Sequence, residues 1–519
     1  MSNPESHQEL PPLQGATLVL ATIAVSLAMF MNVLDTTIAN VSIPTIAGDV
    51  GVSPNQGTWV ITSYAVANAI SLPLTGWLTQ RFGAVQLFVT SILLFVLASL
   101  ACGLSSSLQM LIVFRIIQGA AAGPMIPLSQ ALLLQCFPRE KGGMALAFWG
   151  MTTMVAPVLG PMLGGWISDN MSWPWIFYIN VPTGLIAAAA TWHLLRHRSS
   201  PTIKRPVDGV GLLLLVVWVG ALQITLDKGK ELDWFASDTI FTLAIIAAVG
   251  FCFFVIWELT DEHPVVDLSL FRSRNFTAGV IAIALGFGIY FGNVVLLPLW
   301  MQQFLGYTAT WAGLVAAPIG IFALLATPAV GKLLPKTDPR TLASASFLVF
   351  AIVSYMRSGF TLEVTPWNII LPQLIQGLAT ATFFVPLTAL IISGLHPSRI
   401  PAAAGLSNFV RMTTAAFGVS ISTTMWDDRA AVHHAQLAEH ISVYDPATRQ
   451  TLDALTAQGI PREQIMALLD RQATAQAYMM SANDFFLLSA LLLLLLAGTV
   501  WFAKPQQHQH ASPPGDVGH

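Results

Sequence analysis

The sequence predicts an all-α polytopic membrane protein of fourteen spans, arranged as two six-helix bundles with two further helices inserted between them. Three observations carry this. Of the 519 residues, 55% are hydrophobic and only 9% charged, against about 25% charged in soluble domains. Apolar windows long enough to cross a bilayer, about 18 residues or more, follow one another along the chain. An internal repeat relates the first part of the chain to the last.

The expected spans are 16–40, 55–78, 85–104, 108–132, 143–168, 174–194, 208–227, 238–258, 275–301, 309–331, 341–357, 366–394, 401–426 and 479–503. The N-terminal MSNPESHQEL has no Lys or Arg, so it lacks the basic start of a cleaved signal peptide and the first span is expected to stay as helix 1. With both termini inside, the inner connections hold fourteen Lys and Arg, Arg139, Lys204 and Arg205 among them, and the outer ones seven. Four of those seven fall in the long segment 427–478, and Arg357 is assigned to an outer connection. Short loops alone give fourteen against three, which obeys the positive-inside rule. The organisation read from this is a cytoplasmic tail 1–15, a first bundle 16–195, a linker with two inserted spans 196–274, a second bundle 275–503 that includes an outer loop 427–478, and a cytoplasmic tail 504–519.

The repeat rests on three matches. Ile117-Gln118-Gly119 aligns with Ile375-Gln376-Gly377 at an offset of 258, and Met151-Thr152-Thr153 with Met412-Thr413-Thr414 at 261. Gly76-Trp77-Leu78 aligns with Gly331-Lys332-Leu333 at 255. Six spans occupy less chain than that offset, and the surplus is the size of the pair at 208–258. Parallel six-span halves around a midplane site are a common transporter plan.

Several function classes fall away. The net charge of -3 and the lack of a basic block give no nucleic-acid partner. Cys102, Cys136 and Cys252 are scattered, with no CxxC and no disulfide framework. No phosphate-cradling GxxxxGK[ST] loop occurs, and no nucleophile–base arrangement is suggested at membrane depth, so the chain is read as not an enzyme. His433, His434 and His440 sit in the long outer segment, read as a solvated loop rather than a metal site; no metal and no cofactor are expected. Any work must draw on an ion gradient.

Few ionisable residues lie within the spans, and those singled out are Asp35, Arg115 and Arg411. A charge at membrane depth costs about 2.5–3.5 kcal/mol on insertion scales, so each should face protein or a watery cavity. Asp35, in MNVLDTTIANVSIP, follows an uncharged run over 16–34 and is the candidate seat for a proton; capping helix 1, or pairing with an arginine, is the plainer role. Arg115 would tune it, or else tie carbonyls at a kink. Its repeat-mate is Gln373, so the halves read as electrically unequal. Nothing evident pairs with Arg411, which favours a structural role. Asn32, Gln118, Tyr290, Gln373, Gln376 and Arg411 are the candidate lining of a substrate cavity. In span 5, APVLGPMLGG (156–165) holds Gly160 and Gly164 as a small-xxx-small pair, with Pro157, Pro161 and Gly165 alongside. GWLTQRFG (76–83) is a tight turn with Gly76 and Gly83 at its ends and Arg81 between; Arg81 would hold a gate closed or simply anchor the inner face.

Taken together these motifs resemble the major facilitator superfamily, and within it the fourteen-span drug:proton antiporter branch, over residues 14–504. The likeness lies in Leu34-Asp35-x-Thr37-Ile38-Ala39-Asn40-Val41 through Pro44, in Arg115 with Gln118-Gly119, and in Ala156-Pro157 through Gly160-Pro161 and Gly164-Gly165. Trp173-Pro174-Trp175-Ile176-Phe177 to Asn180-Val181-Pro182, Gln56 to Val60 and Tyr307 to Gly313 share it. Two departures stand out. Gln80 replaces the acid that usually precedes the loop arginine, and Ala84 and Val85 follow the second glycine where basic residues are usual. The resemblance implies export of hydrophobic small-molecule drugs in exchange for protons across a Gram-negative inner membrane. It further implies a periplasmic membrane-fusion adaptor, for which segment 427–478 is a plausible contact, and an outer-membrane channel. An exporter of one metabolite, or a receptor or enzyme reusing the scaffold, are the rival readings.

Overall fold

The computed structural model describes residues 11–138, 141–198, 202, 206, 208–441 and 445–505. Arg139, Lys204, Arg205, residues 1–10 and residues 506–519 lie outside the described residues.

Helices joined by short connections form fourteen spans among the described residues. Span 1 is Gly15–Asp49; span 2 is Trp59–Ser71 with Thr75–Phe82; span 3 is Ala84–Gly103; span 4 is Leu108–Ala122 with Met125–Cys136. Span 5 is Gly142–Asn170, and span 6 is Trp175–Tyr178 with Asn180–Leu195. The inserted pair is span 7, Gly209–Lys228, and span 8, Asp238–Thr260. Spans 9 to 12 are Arg274–Phe304, Ala309–Ala316 with Pro318–Leu333, Pro339–Arg357 and Pro366–Ile392. Span 13 is Ile400–His440 and span 14 Arg462–Thr499. Ten of these are long and apolar enough to cross a membrane. Spans 2 and 4 are interrupted, span 2 around Pro73 and span 4 at Pro124, where a proline cannot supply the helical N–H. The two breaks face each other: a β-carbon at Gly123 would collide with Ser71.

Spans 1–6 pack into one bundle and spans 9–14 into another, and the packing repeats with the sequence. In the first bundle the missing side chain of Gly119 admits the Tyr64 carbonyl of span 2; in the second, Gly377 admits the Ile319 carbonyl of span 10, where an added β-carbon would sit 2.6 Å away. These glycines are the repeat-mates found in the sequence. Spans 7 and 8 pair on the outside and bridge the bundles. Trp218 of span 7 meets Phe254 of span 8 and Phe409 of span 13, Lys228 reaches Thr58, and Ser420 donates to the Leu226 carbonyl at 3.0 Å. Span 8 turns Phe241, Ile245, Val249, Phe253 and Ile256 outward, a lipid-facing surface.

Two expectations change. Segment 427–478 is no loop: span 13 runs unbroken to His440, Pro446–Ala457 is a further helix, and span 14 begins at Arg462. At 1.5 Å per residue the 41-residue span 13 is about 60 Å long, twice an apolar core of about 30 Å. It and span 14 therefore project as a helical pair on the side away from the termini. Arg429 and His433 of span 13 hold Asp484 of span 14, and His434 meets Asp470, so His433 and His434 contact carboxylates on a neighbouring helix rather than standing free in a loop; the His440 side chain lies outside the described residues. Arg357 is likewise no loop residue. It ends span 11 with 1% exposure, making a third buried arginine.

Candidate functional site

Asp35 is fully buried in span 1 and receives three donors. Arg115 Nη1 lies 2.6 Å from Oδ2; Gln118 Nε2 and Asn180 Nδ2 donate to Oδ1 at 3.1 and 2.7 Å. Arg115 is held in turn by the Val60 carbonyl through Nε, at 3.1 Å, and by Gln118 Oε1 at 2.7 Å. Its guanidinium lies 4.1 Å from the Tyr64 ring centroid and 5.6 Å from that of Phe177. Span 4 delivers this because Arg115, Gln118, Gly119 and Ala122 share one helix face. Asn180 also donates to Ser99 at 3.0 Å, and Cys102 contacts Gln118 Oε1. Asn32 donates to the Ala122 carbonyl at 3.0 Å and accepts from Tyr64 at 2.7 Å. Asp35 is therefore an ion-paired acid, the pairing with an arginine that the sequence offered as its plainer role. A carboxylate taking three donors is satisfied as an anion; a proton on it removes the charge that Arg115 pairs with and replaces an ion pair by an ordinary hydrogen bond.

Span 5 closes over this cluster. Gly160 admits Thr37, and a β-carbon at Gly164 would lie 2.8 Å from the Ile38 carbonyl. Gly165 is half-buried beside them; the side chains of Pro157 and Pro161 lie outside the described residues.

The second bundle holds a counterpart with different chemistry. The offset of 258 carries Asp35 to Asn293, Ser99 to Arg357, and Arg115 and Gln118 to Gln373 and Gln376. Arg357 Nη2 donates to both Gln373 Oε1 and Gln376 Oε1, and Asn293 donates to Ser489 at 3.1 Å. The repeat-mate of Arg115 is a glutamine, and the base of this cluster comes from span 11 instead of span 12. No acid joins it among the described residues.

Where the bundles meet on the side of the termini, they touch backbone to backbone. A β-carbon at Gly76 would lie 2.5 Å from that of Ala402, and one at Gly143 2.6 Å from the Gly331 carbonyl. Gly83, at φ 83°, makes the turn between spans 2 and 3, a backbone form that glycine adopts without strain. Arg81 lies 5.5 Å from the Trp77 ring centroid. Beside them a cavity of about 140 Å³ is lined by Gly76, Trp77, Gln80, Val265, Asp267 and Ala402.

Residues 25–419 match the family described as Major Facilitator Superfamily. The chain belongs to the major facilitator superfamily. It is 53% identical to the multidrug export protein EmrB of Haemophilus influenzae over 501 residues, covering 96% of this chain and 98% of that protein. With EmrB of Escherichia coli K12 it shares 52% over 503 residues, again 96% and 98%. With the fatty acid resistance protein FarB of Neisseria gonorrhoeae it shares 50% over 500 residues, 96% of this chain and 99% of that one. Among solved structures, the human organic anion transporter MFSD10 (TETRAN) matches with a TM-score of 0.56 at 15% identity, over 92% of this chain and all of that one; that likeness concerns the fold.

Within this superfamily scaffold the candidate residues fall into three places. Asn32, Asp35, Arg115 and Gln118 are sealed inside the first bundle, and Gln373 and Gln376 inside the second. Tyr290 packs on Phe287 and Phe350 with centroids 5.9 and 5.7 Å away. Arg411 alone of them reaches the seam between the bundles, 5.7 Å from the Trp149 ring centroid. Sequence reasoning missed Tyr64, Asn180 and Arg357. Tyr64 and Asn180 are neutral, so no burial penalty flags them, and Arg357 stands at a span end like an ordinary flanking cation.

Proposed function

We propose that this chain is a proton-coupled multidrug efflux transporter, exporting hydrophobic and amphipathic compounds by alternating access without a cofactor. The observation that carries the reading is the sealed Asp35–Arg115 pair: an acid in the interior of a membrane bundle whose ionisation decides whether an ion pair exists. Three relatives about half identical over nearly the whole chain bear the names of multidrug export or fatty acid resistance proteins, which supports the cargo class. A ligand shifts a two-state equilibrium only through different affinity for the two states; a proton on Asp35 would meet that requirement by removing the charge that Arg115 pairs with. Arg115 tunes the acid, the motif of span 5 holds span 1 in register, and Gly76, Gly143 and Gly331 allow closure on the side of the termini. That side is the cytoplasm, in a Gram-negative inner membrane. The projecting helices of spans 13 and 14 meet a periplasmic adaptor of the membrane-fusion type, which joins an outer-membrane channel.

The test is transport in proteoliposomes under an imposed pH gradient. A proton-driven exporter moves drug only while the gradient lasts and stops when a protonophore collapses it. Transport indifferent to the gradient refutes the proposal.

A further inference from the structure

We infer that Arg411 binds the negatively charged group of an amphipathic organic anion at the seam between the bundles. The inference rests on the export reading and names one class of cargo for it. Arg411 is 1% exposed. Its Nη2 donates to Asn408 Oδ1 at 2.6 Å, while Nη1 is buried with no hydrogen-bond partner. Among the described residues no acid pairs with it, unlike Arg115, whose charge is met by Asp35. Arg357 also lacks an acid, but it is tied to two glutamines inside its own bundle. Three rings lie close to its guanidinium, Phe287, Phe384 and Trp149, with centroids 4.9, 5.5 and 5.7 Å away.

A buried guanidinium with a spare donor and no counter-ion is an expensive arrangement to maintain unless something completes it. Its planar fork suits a carboxylate or sulfonate, and the rings suit an apolar body. Arg411 also lines a space between the bundles with Gln130, Trp149, Thr388, Ser407 and Asn408. Gln130 and Trp149 come from the first bundle and the rest from the second. The space measures about 10 Å³ here, enough for one water at most. An anion therefore enters only when the bundles part at this seam, so its binding favours the state opposite to the one closed at Gly76 and Gly143.

The probes are anilinonaphthalene sulfonate and N-phenylnaphthylamine, which share an aromatic frame and differ by the sulfonate. Transport of both is measured in phosphatidylcholine proteoliposomes with wild type, Arg411→Gln and Arg411→Lys. The ratio of sulfonate to neutral-dye transport is expected to fall about tenfold or more in Arg411→Gln, as loss of one charge-assisted contact implies, with partial recovery in Arg411→Lys. An equal fall for both dyes, or no fall, overturns the inference and leaves the export reading standing. So does a wild type that moves only the neutral dye. A wild type that moves neither dye overturns the export reading itself, and this inference with it. If phosphatidylglycerol in the vesicles abolishes the wild-type selectivity, a lipid headgroup fills the site and the cargo assignment is overturned. Should Arg411→Gln fail to fold, titration of wild type decides: the sulfonate, and not the neutral dye, changes an emission component absent from Trp149→Phe. Identical responses to both dyes overturn the inference.

Discussion

Replacing Arg115 by methionine strands a carboxylate; replacing Arg357 by methionine does not. In Arg115→Met the buried Asp35 keeps only the amides of Gln118 and Asn180, and breaking a buried ion pair in this way costs about 3–5 kcal/mol. In Arg357→Met the residues left behind are neutral: the Gln373 and Gln376 oxygens lose their donor, at about 1–3 kcal/mol each. Against that, a guanidinium with no acid partner no longer has to be buried, which returns several kcal/mol. The two terms cancel to within about 2 kcal/mol. Thermal unfolding of the purified protein in detergent, followed by tryptophan emission, should thus show Arg115→Met much less stable than wild type and Arg357→Met close to it. Adding Asp35→Asn to Arg115→Met removes the stranded charge and should recover more than half of the loss, a clear departure from additivity. The reasoning is refuted if Arg357→Met falls as far as Arg115→Met, or if the Asp35 and Arg115 effects simply add.

Other predictions concern packing and the projecting helices. Gly119→Ala and Gly377→Ala each drive a β-carbon into a neighbouring carbonyl, at about 1–3 kcal/mol, whereas Gly313→Ala, with nothing within 4 Å of the new atom, is stability-neutral; the same thermal assay checks all three. Gly76→Val and Gly143→Val block the contacts with Ala402 and Gly331, so these variants should insert normally yet lose efflux, measured as drug accumulation in cells. Replacing residues 435–472, the projecting turns of spans 13 and 14 with the segment between them, by a short flexible linker should leave proteoliposome transport intact while abolishing adaptor capture in a pull-down.

The fold was legible because membrane burial leaves coarse marks: apolar windows, charge bias and a repeat whose glycines turn out to admit the Tyr64 and Ile319 carbonyls. Asp35, Arg115 and Gln118 were legible for the same reason, since a charge in an apolar run needs an explanation. Their mutual contacts were not, because spacing along the chain says nothing about which bundle face meets which. Arg357 was misplaced because a cation at a span end is what an interface anchor looks like; only the offset to Ser99, a member of the Asp35 cluster, hinted at more. The helical character of 427–478 hid behind polar composition and the prolines Pro446 and Pro461, which open helices here instead of breaking them.

The central claim is that the ionisation of Asp35 couples transport to the proton gradient. Drug efflux from proteoliposomes under an imposed pH gradient, with Asp35→Asn beside wild type, tests it most directly. The account predicts that wild type responds to the gradient and Asp35→Asn does not, while the variant still equilibrates drug down its own concentration gradient. Gradient-driven efflux of wild-type size in Asp35→Asn would contradict it.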